Sequence, residues 1–177
     1  LVARVGLLSE DILVESLTTL QEMVGPRVIA GIGSGDSLSA PENRAYGVEF
    51  APVSERRALL SRCCGRLRDA GVTTWVGAGA GGAAPATLAM AVETGAALNL
   101  WEASPEQVAS QANLCEVTWG GRLDTRTDTA TGTGSKPPQP EKALSELATA
   151  GARWAVCAWP GSPEELAEVV AGSNRRQ

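Results

Sequence analysis

The residues of this 177-residue chain best suited to chemistry are glycines. Gly77-Ala78-Gly79-Ala80-Gly81-Gly82 lies between an apolar run, Val72 to Val76, and a segment that opens at Pro85 with helical character. Glycines let backbone N–H groups come close to an anion, and the dipole of a following helix adds about half a positive charge at the same point. The segment is read as a phosphate site held mainly by neutral backbone, because no Lys or Arg is near it in sequence. A plain flexible turn is the competing reading. The same residues satisfy G-x-G-x-x-G through Gly77, Gly79 and Gly82, with Glu102 at the end of the next strand where a ribose-binding acid belongs. A Rossmann-type NAD(P)-binding domain is therefore the alternative, although its fingerprint usually opens a domain and here strand and helix units come first. Gly31-Ile32-Gly33-Ser34-Gly35 has Asp36 in place of a third glycine, and Gly132-Thr133-Gly134-Ser135-Lys136 lacks Walker spacing and runs into Pro137, so neither is read as a nucleotide loop.

Other chemistries are narrowed by what the chain contains. There is no histidine, and Cys63, Cys64, Cys115 and Cys157 have no C-x-x-C spacing, so no metal site is assigned. Cys63 and Cys64 on a helix, and Cys115 and Cys157 in apolar runs, read as buried reduced thiols. Serine and cysteine nucleophiles activated by histidine are excluded, which leaves carboxylates, hydroxyls or a cofactor. With 15 Lys and Arg against 20 Asp and Glu, the chain is not built to neutralise nucleic-acid phosphates. Its apolar runs fall far short of the ~20 residues of a membrane-spanning helix, and it is read as soluble and cytoplasmic.

The elements that must carry the glycines follow from periodicity. Val2 to Leu8 suit a short strand, and Ser9 caps a helix with Leu13, Leu17, Leu20 and Val24 on one face, stopped by Gly25 and Pro26. Val28 to Ile32 form an uninterrupted apolar strand, and a long polar loop runs from Gly33 to about Val53. Ser54 is expected to cap a helix with Leu60, Cys63, Cys64 and Leu67 inward and Arg56, Arg57, Arg62, Arg66 and Arg68 as a solvated face. Strands are expected at Val72 to Val76, Ala96 to Trp101, Leu114 to Trp119 and Trp154 to Trp159, with helices opening at Pro85, at Ser104-Pro105-Glu106-Gln107, around Leu144 and Leu147, and at Ser162-Pro163-Glu164-Glu165. The segment 120–140, rich in Thr, Asp, Gly and Pro, is expected to be a mobile loop. Strands without alternating polarity, interleaved with helices, specify an α/β fold with a parallel sheet.

Several short segments, in order, resemble the bacterial-luciferase-like family of flavin- and deazaflavin-dependent oxidoreductases. They are Arg27 to Gly33 with Ser34-Gly35-Asp36, Glu42-Asn43-Arg44-Ala45-Tyr46-Gly47, Glu55-Arg56 with Leu59, Trp75-Val76-Gly77, Ala97-Leu98-Asn99-Leu100-Trp101, Val117-Thr118-Trp119-Gly120-Gly121, Ala150-Gly151-Ala152-Arg153-Trp154 and Ala158-Trp159-Pro160. The resemblance implies an incomplete TIM (β/α) barrel, about strands three to eight, because a full barrel takes about 250 residues. It makes residues 1–177 a single luciferase-like domain truncated at its N-terminus, in keeping with a start at Leu1 rather than Met. It implies FMN or the deazaflavin coenzyme F-420 as cofactor, with its phosphate on Gly77, Ala78, Gly79, Ala80, Gly81 and Gly82 and Thr87 as a hydroxyl contact. Gly33, Ser34, Asn99, Trp101 and Trp119, at strand ends on the barrel mouth, become the substrate or ring pocket. Glu42 to Gly47 is either a rim element over the ligand or a loop anchor tied by Tyr46 and Arg44.

The implied reaction is hydride transfer between the cofactor and a small organic substrate, typical of a monooxygenase-family flavoprotein, with no catalytic side chain assigned. The alternative of another class is a non-catalytic truncated barrel that folds alone, pairs with another chain or does neither; its open strand edges favour self-association or pairing with a missing N-terminal segment.

Overall fold

A computed structural model describes residues 2–79, 82–123, 140–158 and 162–174. Its strands are β1 (Val2–Arg4), β2 (Ile29–Gly33), β3 (Thr73–Ala78), β4 (Ala97–Trp101), β5 (Val117–Arg122) and β6 (Ala152–Ala158). Helices α1 (Glu10–Val24), α2 (Ala40–Ala45), α3 (Val53–Asp69), α4 (Pro85–Thr94), α5 (Pro105–Ala112), α6 (Pro140–Thr149) and α7 (Pro163–Asn174) lie between and after them. No described helix is long and apolar enough to cross a membrane.

The strands form a six-stranded sheet ordered β1 to β6 as in the chain, with β1 parallel to β2, β2 to β3 and β5 to β6. The α/β reading therefore holds, and the finer one is corrected. β1 and β6 are the two ends of the strand order, and β6 is solvated along most of its length, with Trp154 57% exposed. A barrel strand has a packed inner face and a neighbour on both edges, so the assignment to strands three to eight of a luciferase-like barrel is withdrawn in favour of an α/β fold with a six-stranded parallel sheet. Repeated units with buried strands dictate parallel pairing, but they do not encode closure. The order also never reverses, and a Rossmann dinucleotide site needs such a reversal, so the NAD(P) alternative is set aside.

By internal contacts the chain divides into two compact units, Leu1–Gly79 with Ala83–Asn99, and Ala80–Gly82 with Leu100–Gln177. In the first unit, Leu13, Val14 and Leu17 of α1 and Leu60, Cys63, Cys64 and Leu67 of α3 are buried, together with Ala30, Ile32 and Val76 of the strands. Burial pushes the Cys63 thiol up to about 11 and the Cys64 thiol up to about 12, as befits packing residues. In the second unit, Leu100, Val108, Val117 and Leu147 are buried. Cys115 and Cys157 are half-buried rather than buried, and Cys115 lies in the turn before β5.

Local signals explain most boundaries. Ser9 accepts from the Ile12 N–H, and Gly25 ends α1 at φ 74°. Ser104 and Gln107 form a capping box at α5, and Ser162 and Glu165 exchange the same pair of hydrogen bonds at α7. Three expectations are corrected. α3 starts at Val53 after Pro52 with no side-chain cap, so Ser54 is not its cap. The stretch from Gly33 to Val53 is not plain loop, since Asp36 caps a 3-10 turn, Ser37–Ser39, that runs into α2. β5 starts later and ends later than Leu114 to Trp119: the Leu114 and Cys115 N–H groups close α5 on the Gln111 carbonyl, while Gly120 and Gly121 pair with Val156 and Cys157. Pairing decides where β5 ends, against the loop preference of two glycines. The rest of the expected mobile loop, from residue 124 to residue 139, and Trp159 lie outside the described residues.

The solvated face expected of α3 is mostly a set of ion pairs. Arg62 Nε lies 2.9 Å from Glu10 of α1, and Arg66 lies 2.7 Å from Asp11 and 3.3 Å from Glu10. The Arg62 hydrogen bond, seconded by Arg66, holds the Glu10 carboxyl below its ordinary value of 4.5. A depressed carboxylate stabilises the fold above that ordinary value, and the contribution is lost as pH falls through the folded one. Glu10→Gln is therefore expected to lose less stability than the wild type between pH 5 and pH 3, measured as the urea midpoint at each pH; parallel curves would contradict the pairing.

Candidate functional site

Parallel pairing brings three residues into a row at the carboxyl edge of the first unit. Arg4 lies opposite Gly33, and Ile32 lies opposite Val76, so Gly33 is beside Gly77 one step further on. The expected pocket residues Gly33 and Ser34 thus sit along the same edge as the first glycines of the expected phosphate loop.

Beyond the buried Trp75 and Val76, β3 surfaces at Gly77 and Gly79, both exposed, with buried Ala78 between them. A Cβ at Gly77 or at Gly79 would meet nothing within 4 Å, so the backbone there faces open space. α4 follows with Ala84 as N-cap, Pro85 at its start, no side-chain cap and no acid in its first turn. Its positive end therefore has no anionic side chain of its own. Thr87 is half-buried in this first turn, and its N–H is satisfied by the Ala84 carbonyl. Ala80 and Gly81 lie outside the described residues. Gly82 has another structural role: at φ +102° its missing Cβ leaves room for the Gln111 side chain, 2.4 Å from where that atom would be.

The first unit also contains a polar arrangement that sequence reasoning did not assemble. Arg56, expected on the solvated face, is half-buried and donates Nε to the Ser34 carbonyl at 2.8 Å and Nη1 to the Ala51 carbonyl at 2.5 Å. Its guanidinium carbon lies 3.9 Å from the centre of the Phe50 ring. Arg4 donates to Asn43 Oδ1 and, at 2.7 Å, to Glu42. Glu42 to Gly47 is thus anchored through Glu42 and Asn43, while Tyr46 and Arg44 are exposed. A lone arginine inside the apolar run Val2 to Leu8 was the signal available in sequence. A cleft of about 180 Å³ lies beside this network, bordered by Val5, Gly6, Asn43, Glu49, Arg56 and Leu59.

The remaining expected residues separate by environment. Asn99 is half-buried inside β4, not at its end. In the second unit, Trp101 ends β4 and is 45% exposed, but Trp119 is only 6% exposed and gives its indole N–H to the Ala103 carbonyl at 2.9 Å. That spends the one donor of the ring, and the buried Trp119 ties β5 to the Ala103 turn. Glu102 holds φ at 51°, with its N–H 2.6 Å from the Gly120 carbonyl. Gly121 makes room for both neighbours, since a Cβ there would lie 2.6 Å from the Trp119 ring and 3.1 Å from Glu102 Cγ.

No family model matches the chain, and no curated protein matches it. Among solved structures, one described as "Native KDPGal structure" is similar at 15% identity, over 98% of this chain and 91% of that chain, with a TM-score of 0.43.

Gly121→Ala is expected to push the Trp119 ring off Ala103 and to destabilise the chain by about 1–3 kcal/mol through overpacking, read from the urea midpoint and the near-ultraviolet circular dichroism of tryptophan. Unchanged stability and spectrum would show that the ring has room to move.

Proposed function

We propose that the chain is a flavin- or deazaflavin-dependent oxidoreductase that binds the cofactor phosphate on Gly77, Gly79 and the first turn of α4. One observation carries this reading: two exposed glycines with open space over them precede a helix whose N-terminus has neither a side-chain cap nor an acid in its first turn. A phosphate fits that environment, because its charge complements the helix dipole and its oxygens accept from backbone N–H groups. The segments resembling the luciferase-like family add which phosphate-bearing cofactor to test, FMN or the deazaflavin coenzyme.

The bound ring would supply the hydride chemistry, accepting or donating two electrons and a proton as hydride. The residues of this chain bind and orient. Gly33 and Ser34, which follow the Ile32–Val76 pair as Gly77 does, are assigned to the ring or the substrate. The Arg56 bond to the Ser34 carbonyl fixes the backbone there. Thr87 offers its hydroxyl in the first turn of α4.

Gly79→Asp tests the reading at a position where an added Cβ meets nothing within 4 Å. The new carboxylate should weaken FMN or deazaflavin binding at least tenfold, ~1.4 kcal/mol, by repelling the phosphate, as measured by fluorescence titration. Equal affinity in variant and wild type, or a wild type that binds neither cofactor, would remove the assignment.

A further inference from the structure

Residues 34–52, between β2 and α3, bury few side chains fully. Among them the one fully buried side chain is that of Asn43, 2% exposed, and it is polar, while Leu38 and Tyr46 face solvent. The segment nevertheless has its own internal order. Asp36 accepts from the Leu38 N–H at 2.9 Å, Asn43 donates to the Glu49 carbonyl at 3.0 Å, and the Val48 N–H returns to the Asn43 carbonyl at 2.9 Å. It is ordered by its own bonds, and its two ends come together at a neck beside Arg56.

Two arginines from outside the segment attach it. Arg56, at the start of α3, bonds the carbonyls of Ser34 and Ala51 at once and so pins the two ends of the segment together. Arg4, from β1, reaches the far side through Glu42 and Asn43. The Arg4 stem passes over Gly35, where a Cβ would lie 2.7 Å from Arg4 Cδ and where φ is +74°, so only glycine leaves the path clear. Asn43 and Glu49 of the segment, and Val5 and Gly6 after β1, border the same cleft of about 180 Å³.

From this geometry we infer that residues 34–52 form a lid that pivots on the Arg56 neck and is latched by Arg4, uncovering the cleft over the carboxyl ends of β1 and β2. Opening breaks the Arg4 contacts and exposes Val5 at the cleft while the core of the first unit stays packed. The internal bonds of the lid and the Arg56 neck persist in both positions. The inference rests on this network alone and stands apart from the cofactor reading.

The test follows thiol accessibility under the lid. Val5→Cys places a thiol at the cleft floor, where Val5 is 1% exposed, and Cys63 and Cys64 of the core report global unfolding in the same molecule. Iodoacetamide labelling, resolved by peptide mass spectrometry, should be at least tenfold faster at position 5 when Arg4→Met or Gly35→Ala is added, with labelling of Cys63 and Cys64 unchanged. Leu59→Cys, on the cleft wall, serves the same purpose if the Val5 variant does not fold. Equal labelling with and without Arg4 would overturn the inference. So would acceleration that Cys63 and Cys64 share, or acceleration by Arg56→Met but not by Arg4→Met.

Discussion

Parallel pairing of β1, β2 and β3 is the constraint on which the rest of the site depends. It places Arg4, Gly33 and Gly77 in one row at the carboxyl edge of the first unit, so the segments that leave the strands there begin as neighbours. Helices must return the chain to the opposite edge each time, because a parallel strand cannot be followed by its neighbour through a tight turn. The carboxyl edge is thereby left to loops, and loops can carry function without disturbing the buried strands beneath them.

Polar groups at this edge are satisfied mainly by backbone carbonyls. Arg56 spends its donors on Ser34 and Ala51, and in the second unit Trp119 spends its single donor on Ala103. No buried side-chain nitrogen or oxygen among the described residues lacks a partner. Removing any one of these donors leaves a carbonyl unpaired, which costs about 1–3 kcal/mol where the group is buried. Arg56, expected on a solvated face, and Trp119, expected at a ligand pocket, act here as ties between chain segments. What the edge leaves exposed is backbone, at Gly77 and Gly79 before the uncapped start of α4.

What could be read from the sequence was local. Ser9, Gly25, Ser104 and Ser162 mark helix ends through bonds to residues a few positions away, and the inward stripe of α3 follows from helical spacing. The parallel α/β class followed from uninterrupted apolar strands. Contacts between distant segments were hidden. Nothing near Arg56 in sequence shows that the first turn of α3 faces the neck of the preceding segment, and nothing near Trp119 points to Ala103. Gly121 looked like the start of a loop, yet it is the one residue small enough to lie under the Trp119 ring. Short motifs in family order suggested a barrel, but closure depends on how the first and last strands meet, which no motif within one unit records.

Whether the exposed backbone of the β3–α4 turn takes a phosphate can be measured directly by comparing FMN with riboflavin, which carries the same ring and no phosphate. Amide resonances of an isotopically labelled chain should shift at Gly77, Gly79 and Ala86 when FMN is added, and riboflavin at the same concentration should leave those resonances in place. Equal shifts with both ligands, or shifts with FMN confined to other parts of the chain, would contradict the proposed phosphate site.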